Sequence, residues 1–387
     1  MKKLINFQLL LAVVMLTGSC MDFDNATQPI TVKMQVVLPE GYETLDVSDK
    51  EVTMTVGGKS YTATTDADGM VTFTDVVPDN YDISIAWETL EYIVSGSLNG
   101  QLLAVNNVEP IVLNVNIQKN ATWLIGKVYY EGSKDSNNKN YMAGKYIEIY
   151  NNSSKPLDAA GLYIALMETE STIAYTPGQV EEVVYAKQVF RVPASEPVIV
   201  QPGGTLLLVN SAIDHTQTAL NAYERNLLDA DFEAKDNQGR TTNNPATPAL
   251  DLIYSCYSTI SQMNIMQGGP TSMVIFTTDE DVSQWERVYA YGKTKGNMFM
   301  KIPADIIVDG IEILKNRAQT GPDINTKRLF DYIDAGYTYC SSTSGYSGEV
   351  VYRKTSSVTD DGRIVLQDTN NSLNDFVTST TIKPREY

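Results

Sequence analysis

The sequence has one histidine, three cysteines and three tryptophans among 387 residues. A single histidine, His215, gives little support to a histidine-rich metal site or a conventional Ser-His-Asp triad, so His215 is read as a surface-loop residue. Positive charge is scarce. Lys and Arg number 29 against 47 Asp and Glu, a net charge of −18. Such a surface repels phosphate backbones and anionic lipid, which argues against nucleic-acid binding and leaves solubility as the plain reading. There is no G-x-G-x-x-G after a strand and no P-loop. The mostly apolar stretch Leu4 to Leu16 has thirteen positions, too few to span a bilayer comfortably. Paired carboxylates do occur, at Glu181/Glu182, Asp279/Glu280/Asp281 and Asp360/Asp361. Sequence cannot bring two of them together across space, so a carboxylate-based hydrolase ranks third among the functional readings.

What is present has the texture of an all-β protein. Hydrophobic content of 43% with 20% charged residues is globular, and the length suits two or three domains. Tyrosine is common (23) and phenylalanine is not (9). Val, Ile, Thr and Tyr recur in short runs broken by Gly, Asn, Asp and Pro, as strands and turns require. The expected architecture is two β-sandwiches in tandem.

At the amino terminus Lys2 and Lys3 precede the apolar stretch, and Thr17-Gly18-Ser19 precede Cys20. This is secretory-signal patterning. The small residues before Cys20 resemble the lipobox of bacterial lipoproteins. That family usually carries Leu three residues before the cysteine; here Thr17 holds that place and Leu16 sits one residue earlier. Relaxed boxes of this kind are typical of Bacteroidota lipoproteins. Met21-Asp22-Phe23-Asp24 resembles their surface-export signal. The resemblance implies a signal peptide over 1–19, lipidation of Cys20, a tether over 20–28, and anchorage in the outer membrane facing outward. Loss of Lys2 and Lys3 with the leader takes the net charge from −18 to −20. An oxidising compartment leaves Cys256 and Cys340 open to two readings, a disulfide worth about 4 kcal/mol or a pair of buried free thiols.

Residues 29–119 alternate strongly. Ile30, Val32, Met34 and Val36 fall on one face of a strand. Gly57-Gly58-Lys59-Ser60 reads as a hairpin loop and Asp66-Ala67-Asp68-Gly69 as a tight turn. The series T-D-A-D-G-x-V-x-F followed by V-P-x-x-Y-x-I, with Gly69 and Tyr81 in the key places, is similar to transthyretin-like sandwiches of the Cna-B and carboxypeptidase regulatory-like kind.

Residues 120–387 are organised around Lys145 to Asp158. Tyr146, Glu148 and Tyr150 face one way along a strand and Ile147 and Ile149 the other. The block Glu148, Tyr150, Asn151, Pro156, Asp158, Gly161, Tyr163, Pro202, Gly203 and Gly204 resembles the lamin-tail domain, an immunoglobulin-like sandwich. Gln367 to Phe376 looks like that family's closing D-T-N-N-S-x-x-D-F. Insertions at 167–187 and 211–325 make the segment larger than an ordinary single domain. Ala219 to Ala230 has helical spacing and is predicted as a short amphipathic helix. The whole arrangement looks like an uncharacterised family of Bacteroidota lipoproteins. The resemblance implies an association with TonB-dependent outer-membrane receptors.

No catalytic set, cofactor site or metal site is assigned, and the protein is read as not an enzyme. Tyr332, Tyr337, Tyr339, Tyr346 and Tyr352 lie among Gly and Ser, a composition suited to a binding surface for a glycan or a protein. The leading expectation is a non-enzymatic surface lipoprotein that binds or assembles, accessory to an outer-membrane receptor. A carbohydrate- or matrix-binding adhesin comes second.

Overall fold

A computed structural model describes residues 28–89, 92–107, 109–119, 122–359 and 361–387. The leader, Cys20, most of the tether and Asp360 lie outside the described residues. The chain is all-β, and its contacts divide it into two compact units, Met1–Lys119 and Asn120–Tyr387.

In the first unit, β1 (Ile30–Val37) buries every second residue, Ile30, Val32, Met34 and Val36. The other strands are β2 (Glu51–Val56), β3 (Lys59–Thr64), β4 (Met70–Val76), β5 (Asp79–Glu88), β6 (Tyr92–Leu103), β7 (Ile111–Asn114) and β8 (Asn116–Lys119). They form a three-stranded sheet, β4-β1-β7, and a five-stranded sheet, β3-β2-β5-β6-β8. Val32, Met34 and Phe73 of the first share one core with Met54, Ile83 and Val94 of the second. The β2–β3 hairpin is tighter than the sequence suggested. Gly57 and Gly58 alone form the turn, both with positive φ, and Lys59 already pairs with Val56. Two successive positive φ values match the right-handed twist of the strands, and glycine reaches them without strain. Asp66 holds its turn by accepting the Asp68 and Met70 N–H groups at 2.9 Å each.

The second unit is built on a pair of larger sheets, with four two-stranded ribbons beside them among the described residues. One has six strands in the order Phe232–Glu233, Thr205–Val209, Tyr146–Asn151, Trp123–Tyr129, Val350–Arg353, Phe376–Ser379. The other follows Arg287–Tyr289, Met298–Pro303, Val183–Arg191, Tyr163–Met167, Met273–Phe276, Ile307–Ile311, with Asp251–Ser255 also paired to Val183–Arg191. Ile147, Ile149, Leu206 and Val351 of the first sheet share a core with Ile164, Phe190, Ile275 and Ile311 of the second.

The opposite faces are covered too. Tyr163, Val274, Phe276 and Phe299 pack with Tyr175, Val180, Val282, Leu329 and Phe330. Tyr129, Tyr146 and Leu207 pack with Ala212 and Leu227. The stretches 167–187 and 211–325 are therefore not appendages. They supply strands of the seven-stranded sheet and side chains that cover the central strands of both sheets.

The predicted helix over Ala219–Ala230 is not formed. The helix is His215–Ala219, capped by Asp214, whose side chain accepts the Thr216 N–H at 3.0 Å. Leu220 then turns left-handed at φ 52° and ends it. Asn221 takes the N–H groups of Tyr223 and Glu224, and Asn226 takes that of Leu228. Amide side chains here claim the donors a helix would need.

Candidate functional site

The strand Tyr146–Asn151 is buried along its whole length. Its polar residues are consequently paired inside the fold. Glu148 meets Lys127 at 3.0 Å with both side chains fully buried. Tyr387 donates its hydroxyl to Glu148 at 3.0 Å, and Lys127 donates to the carbonyls of Lys383 (2.8 Å) and Glu386 (2.6 Å). Asn151 donates to Lys155 and Val200 carbonyls and accepts from Ser153. Asp158 accepts the Ala160 and Val198 N–H groups. At the far end of the motif series, Asp375 accepts from Thr369 and Asn371 and sits 3.4 Å from Arg353. Arg353 also donates from Nη2 to both carboxylate oxygens of Asp309, at 2.9 and 3.0 Å. These residues close turns and join strands.

The five tyrosines divide among several settings. Tyr332 is exposed and its ring lies 5.5 Å from Phe330. Tyr337 and Tyr339 are half-buried with ring centroids 6.3 Å apart. Tyr346 is clasped between Lys134, 4.8 Å from its ring, and the Met142 sulfur, 3.5 Å from its hydroxyl. Tyr352 is in a strand, opposite Lys127 and Val377. Only Tyr337 and Tyr339 pair with each other. Cys256 and Cys340 are both free thiols: Cys340 belongs to the core between the sheets and Cys256 packs against the cluster on the far face, so the bridge is not formed.

His215 corrects the surface-loop expectation. It is fully buried, with Nδ1 2.6 Å from the Tyr141 hydroxyl and Nε2 2.8 Å from the Ser211 carbonyl. That pattern fits a neutral ring donating through Nε2, and burial lowers its pKa. Nearby chain segments bury Glu224, which accepts from Tyr129 (2.8 Å) and Ser133 (2.6 Å). Burial raises the Glu224 carboxyl. Sequence reasoning did not single out Glu224, which stands in the Ala219–Ala230 stretch read as an amphipathic helix.

A groove of about 740 Å³ opens on the second unit. Tyr163 and Arg191 lie beside it, with Ala160 and Gly161 on one wall and Asp279, Glu280 and Asp281 on another. Tyr163 stacks on Phe276 at 4.8 Å, and Phe276 on Trp285 at 5.7 Å. Trp285 donates its indole N–H to Glu280 at 2.7 Å, and Arg191 pairs with Asp251 at 2.8 Å. The lining is mostly polar, with Arg191, Thr277, Thr278 and three carboxylates to donate to and accept from a polyhydroxylated ligand. None of the five predicted tyrosines lines the groove. Among the described residues no group of three or more His, Cys, Asp or Glu could hold a metal ion.

Fold and buried networks together define an all-β chain whose second unit is a two-sheet sandwich covered on both outer faces. Residues 201–383 match the model of a family described as protein of unknown function (DUF4876). The crystal structure of a DUF4876 family protein from Bacteroides thetaiotaomicron VPI-5482 aligns with 90% of this chain and 94% of its own, at 21% identity and a TM-score of 0.66. That likeness is one of fold. A DUF3823 family protein from Bacteroides ovatus ATCC 8483 aligns with 45% of this chain and 98% of its own, at 12% identity and a TM-score of 0.15, too low to carry an argument. The curated proteins include no match.

Proposed function

We propose that this protein is a non-enzymatic lipoprotein, anchored through Cys20 in the outer membrane and facing outward, whose second unit binds or assembles with an outer-membrane receptor of the TonB-dependent class. The observation that carries the reading is the amino-terminal pattern: Lys2-Lys3, an apolar stretch, small residues, Cys20, then Asp22 and Asp24 ahead of a folded strand at Ile30. A lipid on Cys20 followed by a short acidic tether fits export and display. The covered sheets support the binding half, since recognition then falls to connecting segments on a rigid scaffold.

The test is an affinity pull-down of the native protein from solubilised outer membrane, with Cys20→Ala as control. Recovery of one barrel receptor with the lipidated form alone is expected. Cytoplasmic or soluble periplasmic recovery of the native protein would refute the reading. A second reading, a carbohydrate- or matrix-binding adhesin, is favoured by the groove beside Tyr163 and Arg191. It predicts retention on immobilised glycan, reduced by Arg191→Ala, with no receptor recovered.

A further inference from the structure

Among the buried polar groups, the amine of Lys187 is left without a hydrogen-bond partner. Its side chain is fully buried in the strand Val183–Arg191. An unpaired buried ammonium is costly, so a lysine so placed gives up its proton readily. Burial pulls this one down to about 8.

Cys256 stands across the ladder. Gln188 pairs with Ser255 and Val189 with Tyr254. One step further along, the Cys256 N–H donates to the Lys187 carbonyl at 2.8 Å. Residues opposed in this way send their side chains to the same face, with Cβ atoms about 4.5–5.5 Å apart. Amine and thiol also feel each other electrostatically. The other charges around them are engaged elsewhere. Glu168 is held by Arg328 at 2.6 Å, Glu170 accepts from the Asn297 amide at 2.5 Å, and Lys145 donates to the Ile265 carbonyl at 2.7 Å. Cys256 itself is only half-buried, which leaves a small oxidant a way in. Burial pushes its thiol up to about 11, so it is poorly suited to thiolate exchange with other disulfides.

We propose that Lys187 and Cys256 are a modification site, joined by dioxygen into an oxygen-bridged Nζ–O–Sγ cross-link. The S–H bond and one N–H bond of the neutral amine break, and N–O and O–S bonds form. One oxygen atom of O₂ enters the bridge. The other leaves as water with the two hydrogens, and nitrogen and sulfur supply the four electrons. Two equivalents of a dithiol reverse the change and return amine, thiol and water. The bridge clips Asp251–Ser255 to its neighbour Val183–Arg191. This inference stands on the ladder alone and does not depend on the proposed function.

The experiment is a peptide map and intact mass of the full chain, purified in air and then divided between dithiothreitol and buffer. The expected result is a gain of about 14 Da, one oxygen added and two hydrogens lost. It should reside in a cross-linked peptide containing Lys187 and Cys256, with trypsin unable to cut at Lys187. Dithiothreitol should remove it, and Cys256→Ser and Lys187→Arg should lack it. Recovery of Cys256 as free thiol or sulfinic acid, with normal cleavage at Lys187, would overturn the proposal. The native chain by itself separates these outcomes, so the test survives a variant that fails to fold.

Discussion

Replacing Glu312 by Gln should change how the second unit responds to pH. Glu312 follows the strand Ile307–Ile311 and is fully buried. Its carboxylate accepts from the Ser272 hydroxyl and from the N–H groups of Arg328 (2.9 Å) and Leu329 (2.7 Å). Burial nevertheless dominates and raises its pKa from 4.5 to about 7, with the neighbouring Asp334 pushing the same way. The folded state therefore holds this proton more tightly than the unfolded chain. Its stabilising contribution is fully present below the unfolded value of 4.5 and is lost as pH climbs through about 7. At about 1.4 kcal/mol per pH unit, the swing is roughly 3 kcal/mol. Glutamine keeps an acceptor for the two N–H groups and does not titrate. Urea unfolding of both forms at intervals from about pH 4 to about pH 8 measures the difference. Glu312→Gln should gain on the native protein by roughly 3 kcal/mol over that range. A difference that stays flat would refute the reasoning and show that the hydrogen bonds, not burial, set the carboxyl's state.

Two further outcomes follow from buried geometry. Arg353→Met should cost about 3–5 kcal/mol in urea unfolding, because it leaves Asp309 and Asp375 buried without their counter-charge. Gly132→Ala should lower the melting temperature far more than Gly100→Ala. Both have positive φ, but a Cβ at Gly132 would press on the Tyr141 carbonyl oxygen whereas Gly100 faces open space, so the first should cost about 2 kcal/mol or more.

Much of the fold is legible in the chain because strands announce themselves by alternation when one face is wet. Ile30 to Val36 alternates, and the face that alternation predicts to be inward is the buried one. Ile147 and Ile149 likewise point away from Tyr146 and Tyr150, and the two sets occupy different clusters. The extent of the seven-stranded sheet is not legible. Its partners come from distant stretches, and long-range pairing leaves no local periodicity. The helix falls earlier than its spacing predicts because Leu220, Tyr223, Leu227 and Leu228 have helical intervals, while Asn221 and Asn226 divert the backbone donors. Of the candidate site, little can be read. The tyrosines between 332 and 352 are close in sequence, but a strand and two loops send them to separate neighbours. Lys187 and Cys256 lie 69 positions apart in the sequence, and nothing but the ladder between their strands brings them together.

The dry outer faces of the second unit bind recognition to stability. Trp123–Tyr129 and Tyr146–Asn151 offer no residue to solvent. Over those strands, contact with a partner falls to segments such as those bearing Val282, Leu227 or Phe330, whose inward side chains also pack the sheets. A substitution that reshapes the outer side of such a segment will strain or loosen its inner side. Changes in specificity should thus arrive with a measurable cost in folding, and a surface that diverges freely would need compensating changes beneath it.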